Sequence, residues 1–126
     1  MEFTLDKLPP GVPVSAVSVP VPEWGEGMVA YIAELTADER DERMETWYPR
    51  RREAREQENN VGFRAYAVAA TLCDAQRKFL AADEKAANDL ADKLGPQNAV
   101  PVSRLFNKAC ELNGLLPEDV EELEKN

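Results

Sequence analysis

The sequence contains no histidine among its 126 residues. Because histidine is the commonest general base and the commonest metal ligand, two kinds of reactive site lack their usual residue. The only two cysteines, Cys73 and Cys110, lie far apart in the sequence. Without histidine they cannot complete a four-ligand zinc site unless carboxylates or a second chain contribute. We therefore expect no bound metal and no cofactor.

The sequence also lacks the short motifs of common active sites. It has no GxGxxG, no GxxxxGK(S/T) and no GxSxG, the patterns that cradle phosphates or present a nucleophilic serine. Paired carboxylates remain as candidates, for example Asp38 with Glu42 or Glu118 with Glu122. Both pairs fall in the first turns of predicted helices, where acidic side chains meet the positive end of the helix dipole. We predict a protein that is not an enzyme and has no catalytic residues.

No apolar run approaches the roughly 20 residues needed to cross a bilayer. The first residues, MEFTLDKLPPG, mix acidic and basic groups without an apolar stretch, which is unlike a secretory signal. The two cysteines lie in segments with a helical apolar pattern, so we expect them to be small buried hydrophobes in a reducing compartment. The sequence thus predicts no membrane contact and a cytoplasmic location.

The charge is strongly acidic, with 24 acidic and 15 basic residues and a net charge of −9. Such a field repels phosphate backbones and argues against nucleic-acid binding. One basic segment, PRRREAREQE at residues 49–58, is an exception. It is interpreted either as a phosphate-contacting patch or as a solvated helix with ion pairs three or four residues apart. The second interpretation is favoured.

Hydrophobic patterning predicts a flexible, proline-rich leader at residues 1–13 and a single domain at residues 14–126. Residues 14–21 and 28–35 alternate as two strands, and Gly25 and Gly27 supply the turn of a β-hairpin. Because Pro20 has no N–H group to donate, the first strand is predicted to lie at a sheet edge.

The remainder of the chain has apolar residues at helical spacing and capping residues at the ends of the predicted helices. Thr36 and Glu39 form a capping box, and Pro49 is predicted to end the helix that they begin. A central, mostly buried helix is predicted from Val61 through Leu72 to residue 74. Predicted helices open or are capped at Thr36, Pro49, Asn60, Asp83, Pro101 and Pro117. Gly114 is predicted to cap the C-terminal end of the helix that Pro101 opens. The predicted fold class is α+β, an N-terminal β-hairpin followed by a bundle of about four to five helices.

Three motifs occur in order over residues 20–126: PEWG at 22–25, LTADER at 35–40, and RLFNKACELNGLLPEDVEELEKN at 104–126. With these motifs the chain resembles the tail assembly chaperones of long-tailed bacteriophages with non-contractile tails. It departs from the family's pattern in two places. The turn DAQR at 74–77 lacks a glycine, and residues 96–101 lengthen the link before the last long helix.

The resemblance implies a protein that binds the tape measure protein, keeps its long apolar helices soluble, and helps to recruit tail tube subunits. It also implies action in the cytoplasm of the infected host and absence from the mature virion, without a cofactor. Members commonly make a longer product by ribosomal frameshifting. Glu124, Lys125 and Asn126 are compatible with a slippery run of adenines, although other codons encode them equally well. Self-association is left open.

Two other functions fit parts of the sequence. One is a structural minor tail component that is retained in the virion. The other is an acidic inhibitor of a host defence protein, which should carry evenly spaced carboxylates, whereas Arg40 and Arg43 interrupt the acidic runs here.

Aromatic, methionine and apolar residues near the hairpin and the chain's last helix are the candidate partner-binding residues. For each residue, ordinary core packing is the alternative. The candidates are Trp24, Met44, Trp47, Tyr48, Leu115, Leu116, Val120 and Leu123.

Overall fold

The computed structural model describes residues 1–11, 14–55, 62–115 and 117–125, with backbone alone at 117 and 123–125. The strands are β1 (Ala16–Pro20), β2 (Val29–Ala33) and β3 (Leu72–Cys73). The helices are α1 (Ala37–Arg40), a π-helical segment (Asp41–Trp47), α2 (Tyr48–Arg55), α3 (Phe63–Thr71), α4 (Glu84–Leu94), α5 (Ala99–Asn113) and α6 (Pro117–Lys125). Short 3₁₀ turns lie at Leu5–Lys7 and Pro22–Trp24. The α+β prediction is confirmed.

The predicted hairpin forms the first two strands of a three-stranded antiparallel sheet in the order β1-β2-β3. Its register runs from Ala16 opposite Ala33 to Pro20 opposite Val29. The edge position predicted for the strand that contains Pro20 is confirmed. Gly27 adopts a φ of 73° in the connecting turn, a conformation that glycine reaches without a steric cost.

The third strand was not predicted, because Leu72 and Cys73 had been assigned to the central helix. Helix α3 instead ends at Thr71, whose hydroxyl donates to the carbonyl of Ala67 at 2.7 Å. Leu72 then pairs with Ile32, and Cys73 pairs with Tyr31. Pairing with β2 supplies hydrogen bonds that are non-local, and these override the helical apolar pattern.

The prediction that Pro49 ends a helix is wrong. The chain stays helical from Ala37 to Arg55, because a seven-residue π-helical segment precedes Tyr48. In that segment the N–H of Tyr48 bonds to the carbonyl of Arg43, five residues back. The wider turn changes which carbonyls face the pyrrolidine ring, so the usual clash of an internal proline is relieved.

Several helix ends agree with their predicted caps. Thr36 and Glu39 form the reciprocal capping box, with bonds of 3.2 and 2.9 Å. The side chain of Asp83 accepts from Ala86 N at 2.8 Å, and Gly114 ends α5 with a φ of 62°. Helix α5 begins at Ala99, two residues before the predicted Pro101. The predicted Asn60 cap and the segment from residue 56 to Val61 lie outside the described residues.

Helices α4 and α5 pack against α3, of whose nine residues seven are buried. Tyr48 packs against the ring of Phe63, with ring centroids 4.9 Å apart, and Phe63 packs edge-on against Phe106 at 6.1 Å. One face of the sheet joins this core through Val19 and Ile32. The predicted central helix is therefore confirmed between Phe63 and Thr71.

The amide of Asn113 ties the end of α5 to the end of β2. Its oxygen accepts from the N–H of Leu35 at 2.7 Å. Its nitrogen donates to the carbonyls of Ala33 and Ala109 at 3.2 and 3.1 Å. Asn113 is buried, and these bonds satisfy both ends of its amide, as burial requires.

The arginines of the basic segment connect α2 to α4. Arg50 contacts Glu84 at 2.9 Å, and Arg51, which is buried, contacts Asp92 at 3.0 Å. Arg55 also pairs with Asp92. Hydrogen bonds from Arg55 and Arg51 hold the pKa of the Asp92 carboxyl below its usual range. These arginines pair with a neighbouring helix, whereas the favoured interpretation placed their partners on the same helix.

Candidate partner-binding site

The main candidate site is a groove beside β2, at the point where β3 stops. The sheet ladder pairs Ile32 with Leu72 and Tyr31 with Cys73, and the chain then turns away at Asp74. The start of β2 therefore extends beyond β3, and a depression of about 370 Å³ lies next to it. We call it the edge groove. It is lined by Val21, Trp24, Met28, Val29, Ala30, Tyr31, Leu72, Cys73, Asp74, Ala75 and Leu80.

The edge groove is apolar and partly open to solvent. Among its lining residues only Asp74 carries a charge. Met28, Val29 and Leu80 are 47%, 44% and 59% exposed. Exposed apolar side chains gathered at a sheet edge are characteristic of interaction sites, because isolated edges of this kind favour association.

Backbone geometry adds hydrogen-bonding capacity to the same groove. The carbonyl of Met28 accepts from Val21 N at 2.9 Å, so Met28 presents its backbone groups to the β1 side. Backbone groups alternate along an antiparallel strand, so those of Val29 point to the opposite side, where β3 has ended. An extended peptide in the groove would meet both apolar walls and a strand edge, the arrangement used in β-strand addition.

A 3₁₀ turn at Pro22–Trp24 builds the end wall of the groove. Arg104 on α5 holds this turn: its guanidinium contacts both carboxylate oxygens of Glu23, at 2.9 and 2.7 Å, and the carbonyl of Pro20 at 3.0 Å. The hydrogen bond from Arg104 lowers the pKa of Glu23 to about 2. Trp24 is thereby placed at the groove. Its buried indole N–H has no acceptor within the described part of the chain.

A second concave surface lies between the π-helical segment, α2 and α6. This C-terminal cleft has a volume of about 320 Å³. Its apolar floor contains Met44, Pro49 and Leu115, and the remaining lining residues are charged. Arg40 and Asp119 face each other across it at 4.0 Å. The cleft is lined by Arg40, Met44, Glu45, Pro49, Arg52, Leu115, Asp119 and Glu122.

The predicted partner-binding residues are divided between these places. Trp24 lines the edge groove, whereas Met44 and Leu115 are buried at the floor of the C-terminal cleft. Trp47 and Tyr48 are buried in the core, the alternative that the sequence left open.

Two predicted residues, Leu116 and the side chain of Leu123, lie outside the described residues. Val120 is partly buried and packs against the core. Of the predicted residues whose side chains the structure describes, only Trp24 lines the edge groove.

Sequence reasoning missed Met28, Val29 and Leu80 as site residues. One signal was present: β2 is apolar on both of its faces, since Ala30 and Ile32 alternate with Val29 and Tyr31. A strand with a single buried face normally alternates apolar and polar residues. An apolar second face therefore indicates a second contact, and Val29 on that face is 44% exposed.

Reactive groups do not gather in the parts of the chain that the structure describes. Within them no group of three or more potential metal ligands occurs. Cys73 is buried, Cys110 is half-buried, and burial raises the pKa of both thiols. No helix in the described ranges is long and apolar enough to traverse a membrane.

Comparison with protein-family models, with curated proteins and with solved structures gives no match. Function is therefore inferred from the surfaces of this chain and from the motifs at its hairpin and its C-terminal helices.

Proposed function

We propose that this protein is a tail assembly chaperone of a long-tailed bacteriophage with a non-contractile tail. In this role it binds the tape measure protein in the cytoplasm of the infected host, keeps that client soluble, and helps to recruit tail tube subunits. It is then absent from the mature virion. The observation that carries the proposal is the edge groove, an open apolar surface on a body with a net charge of −9.

The two properties act together in this role. A client with long apolar helices aggregates when its apolar side chains meet those of another copy. The edge groove offers such side chains a competing surface of Met28, Val29 and Leu80. Because each bound chaperone adds negative charge, complexes repel one another and stay dispersed. The preferred client segment is apolar with lysine or arginine at its flanks.

Co-expression with the tape measure protein of the same phage tests the proposal. We expect the client to be soluble and to co-purify with the wild-type chain. The double variant Val29→Thr with Leu80→Ser keeps the strand propensity at residue 29 and removes apolar contact, so it should leave the client in the pellet. Val100→Ser is the matched control, because Val100 is 63% exposed and lies outside the groove.

A client that is equally soluble without this chain would contradict the proposal. Recovery of the chain in purified virions would favour a structural tail component instead. The nucleotide sequence of the gene tests whether a longer, frameshifted product is also made. Codons that interrupt the run of adenines at Lys125, or the absence of an overlapping reading frame, would exclude that product.

A further inference from the structure

One wall of the edge groove depends on a tight turn. Residues 74–78 reverse the chain after β3, and Asp74, Ala75 and Leu80 in this region line the groove. The N–H of Leu80 donates to the carbonyl of Leu72 at 3.0 Å, which holds the returning chain beside β3. The conformation of the turn therefore sets the place of the exposed Leu80 side chain.

The turn contains a residue in a disfavoured backbone conformation. Arg77 has a φ of 66°, and it is the single non-glycine residue with a positive φ in the part of the chain that the structure describes. In this left-handed region the Cβ atom crowds the neighbouring carbonyl oxygen. Such a conformation persists in a residue other than glycine only where other contacts hold it.

The side chain of Arg77 supplies contacts of this kind. Its Nε and Nη2 donate to the carbonyl of Glu34, the residue that follows β2, at 3.1 and 2.9 Å. Its guanidinium also pairs with the Glu39 carboxylate of the capping box and lies over the ring of Phe79 at 5.2 Å. Because hydrogen bonds from a charged donor are stronger than neutral ones, these contacts fasten the turn to the end of β2 and to the start of α1.

We propose that Arg77 is a positioning residue for client binding, which holds the turn so that Leu80 forms a wall of the edge groove. This role rests on the proposed function, since it assumes that the client occupies that groove. Arg77 itself does not line the groove, so it acts on the client through the turn. Without its guanidinium the residue would relax toward a negative φ, and the relaxation would move the wall.

The proposal predicts an unusual order of substitutions at residue 77. At an ordinary loop position alanine is at least as favourable as glycine, because glycine leaves more freedom to the unfolded chain. At a φ of 66° the order is reversed, since glycine reaches this conformation without a steric cost. The wall should therefore be best ordered with arginine, less with Arg77→Gly and least with Arg77→Ala. Arg77→Lys keeps the charge but lacks the fork of donors, so it should also be less ordered than the wild type.

Hydrogen exchange on the full chain without client tests the order of the wall. Exchange of the Leu80 amide is measured relative to that of Val68, which is buried in α3. A general loss of stability speeds both amides, whereas loss of the turn speeds Leu80 selectively. The ratio should rise about tenfold in Arg77→Gly and further in Arg77→Ala.

Asp89→Gly is the matched control. Asp89 is exposed on α4 and does not line the groove, and a glycine inside a helix lowers the stability of the whole fold. The exchange ratio should not rise in this variant. Circular dichroism checks that each variant is folded.

Co-expression with the tape measure protein links the order of the wall to client binding. The soluble fraction of the client should fall in the order wild type, Arg77→Gly, Arg77→Ala, and Asp89→Gly should match the wild type. A role in stability alone predicts the opposite for the control, because any loss of stability would then lower the soluble fraction.

Two results would overturn the role of Arg77 while the proposed function stands. One is an exchange ratio that is the same in the wild type, Arg77→Gly and Arg77→Ala. The other is a client that the wild type and Arg77→Ala keep soluble to the same extent. A wild-type chain that leaves the client in the pellet is a different result, because it contradicts the proposed function itself and the role of Arg77 with it.

Discussion

Arg104 on α5 holds Glu23 through both carboxylate oxygens, at 2.9 and 2.7 Å. The two residues are far apart in sequence, and their contact fixes the turn between β1 and β2 on the helical layer. The same guanidinium bonds to the carbonyl of Pro20. The end wall of the edge groove therefore depends on a residue of a helix that does not line it.

This ion pair predicts a pH dependence. The pKa of Glu23 falls from 4.5 to about 2 in the folded chain. The folded state thus binds fewer protons than the unfolded state, and the stabilisation is complete above pH 4.5 and is lost as the pH falls toward 2. We expect the difference in urea midpoint between the wild type and Glu23→Gln to be constant near neutrality and to shrink below pH 4.5. A difference that does not change with pH would contradict this assignment.

Substitution of Arg43 is expected to lower the stability of the fold substantially. Its side chain is buried, its Nε donates to the carbonyl of Ala70 near the end of α3 at 3.0 Å, and its guanidinium lies over the ring of Phe79 at 3.9 Å. Burial lowers the pKa of Arg43. We expect Arg43→Ala to lower the free energy of unfolding by about 2–4 kcal/mol, because it leaves a carbonyl without its donor and creates a cavity.

The matched control for this change is Arg50→Ala. Arg50 forms an ion pair with Glu84 but is largely exposed, so its loss should cost about 0–1 kcal/mol. Urea titrations of the two variants measure both values. Equal losses would show that burial of Arg43 is not the cause.

The capping box at Thr36 predicts a smaller and local effect. Thr36→Ala removes the acceptor for Glu39 N and should cost about 1 kcal/mol. Thr4→Ala removes a threonine from the exposed leader and should cost almost nothing. Thermal unfolding measures the two changes, and an unchanged midpoint in Thr36→Ala would argue that the cap is dispensable.

The positions of the two tryptophans allow a fluorescence test of the edge groove. Trp24 lines the groove and Trp47 is buried in the core, and the sequence contains no third tryptophan. In the Trp47→Phe variant, emission therefore reports on Trp24 alone. We expect that emission to change when the chain binds the client. The Trp24→Phe variant should show no change, and an equal change in both variants would place the contact elsewhere.

Features decided by neighbouring residues were predictable from the sequence. The caps at Thr36, Asp83 and Gly114 are examples, since each satisfies backbone groups within a few positions. The strand β3 and the continuation through Pro49 were not predictable in this way. The first depends on pairing with a distant strand, and the second depends on a change of helix type upstream of the proline.

The edge groove, too, was predictable only where it depends on neighbouring residues. Trp24 was identified because its aromatic side chain stands next to the predicted hairpin. Leu80 was not, because its place at the groove depends on the turn that begins at Asp74. In that turn the side chain of Asp74 accepts from Lys78 N at 2.9 Å, and Leu80 N bonds to Leu72 at 3.0 Å. Local patterns predict where a strand is, but not where its neighbour stops.

The hydrogen bonds of Asn113 have a consequence for the newborn chain. The hairpin is synthesised early, yet the carbonyl of Ala33 and the amide of Leu35 obtain these partners only when α5 exists. Until a nascent chain has emerged to residue 113, the end of its hairpin therefore lacks these two hydrogen-bond partners, because the helix that supplies them is translated much later. Ribosome-bound fragments that stop short of α5 should therefore exchange the Leu35 amide rapidly with solvent.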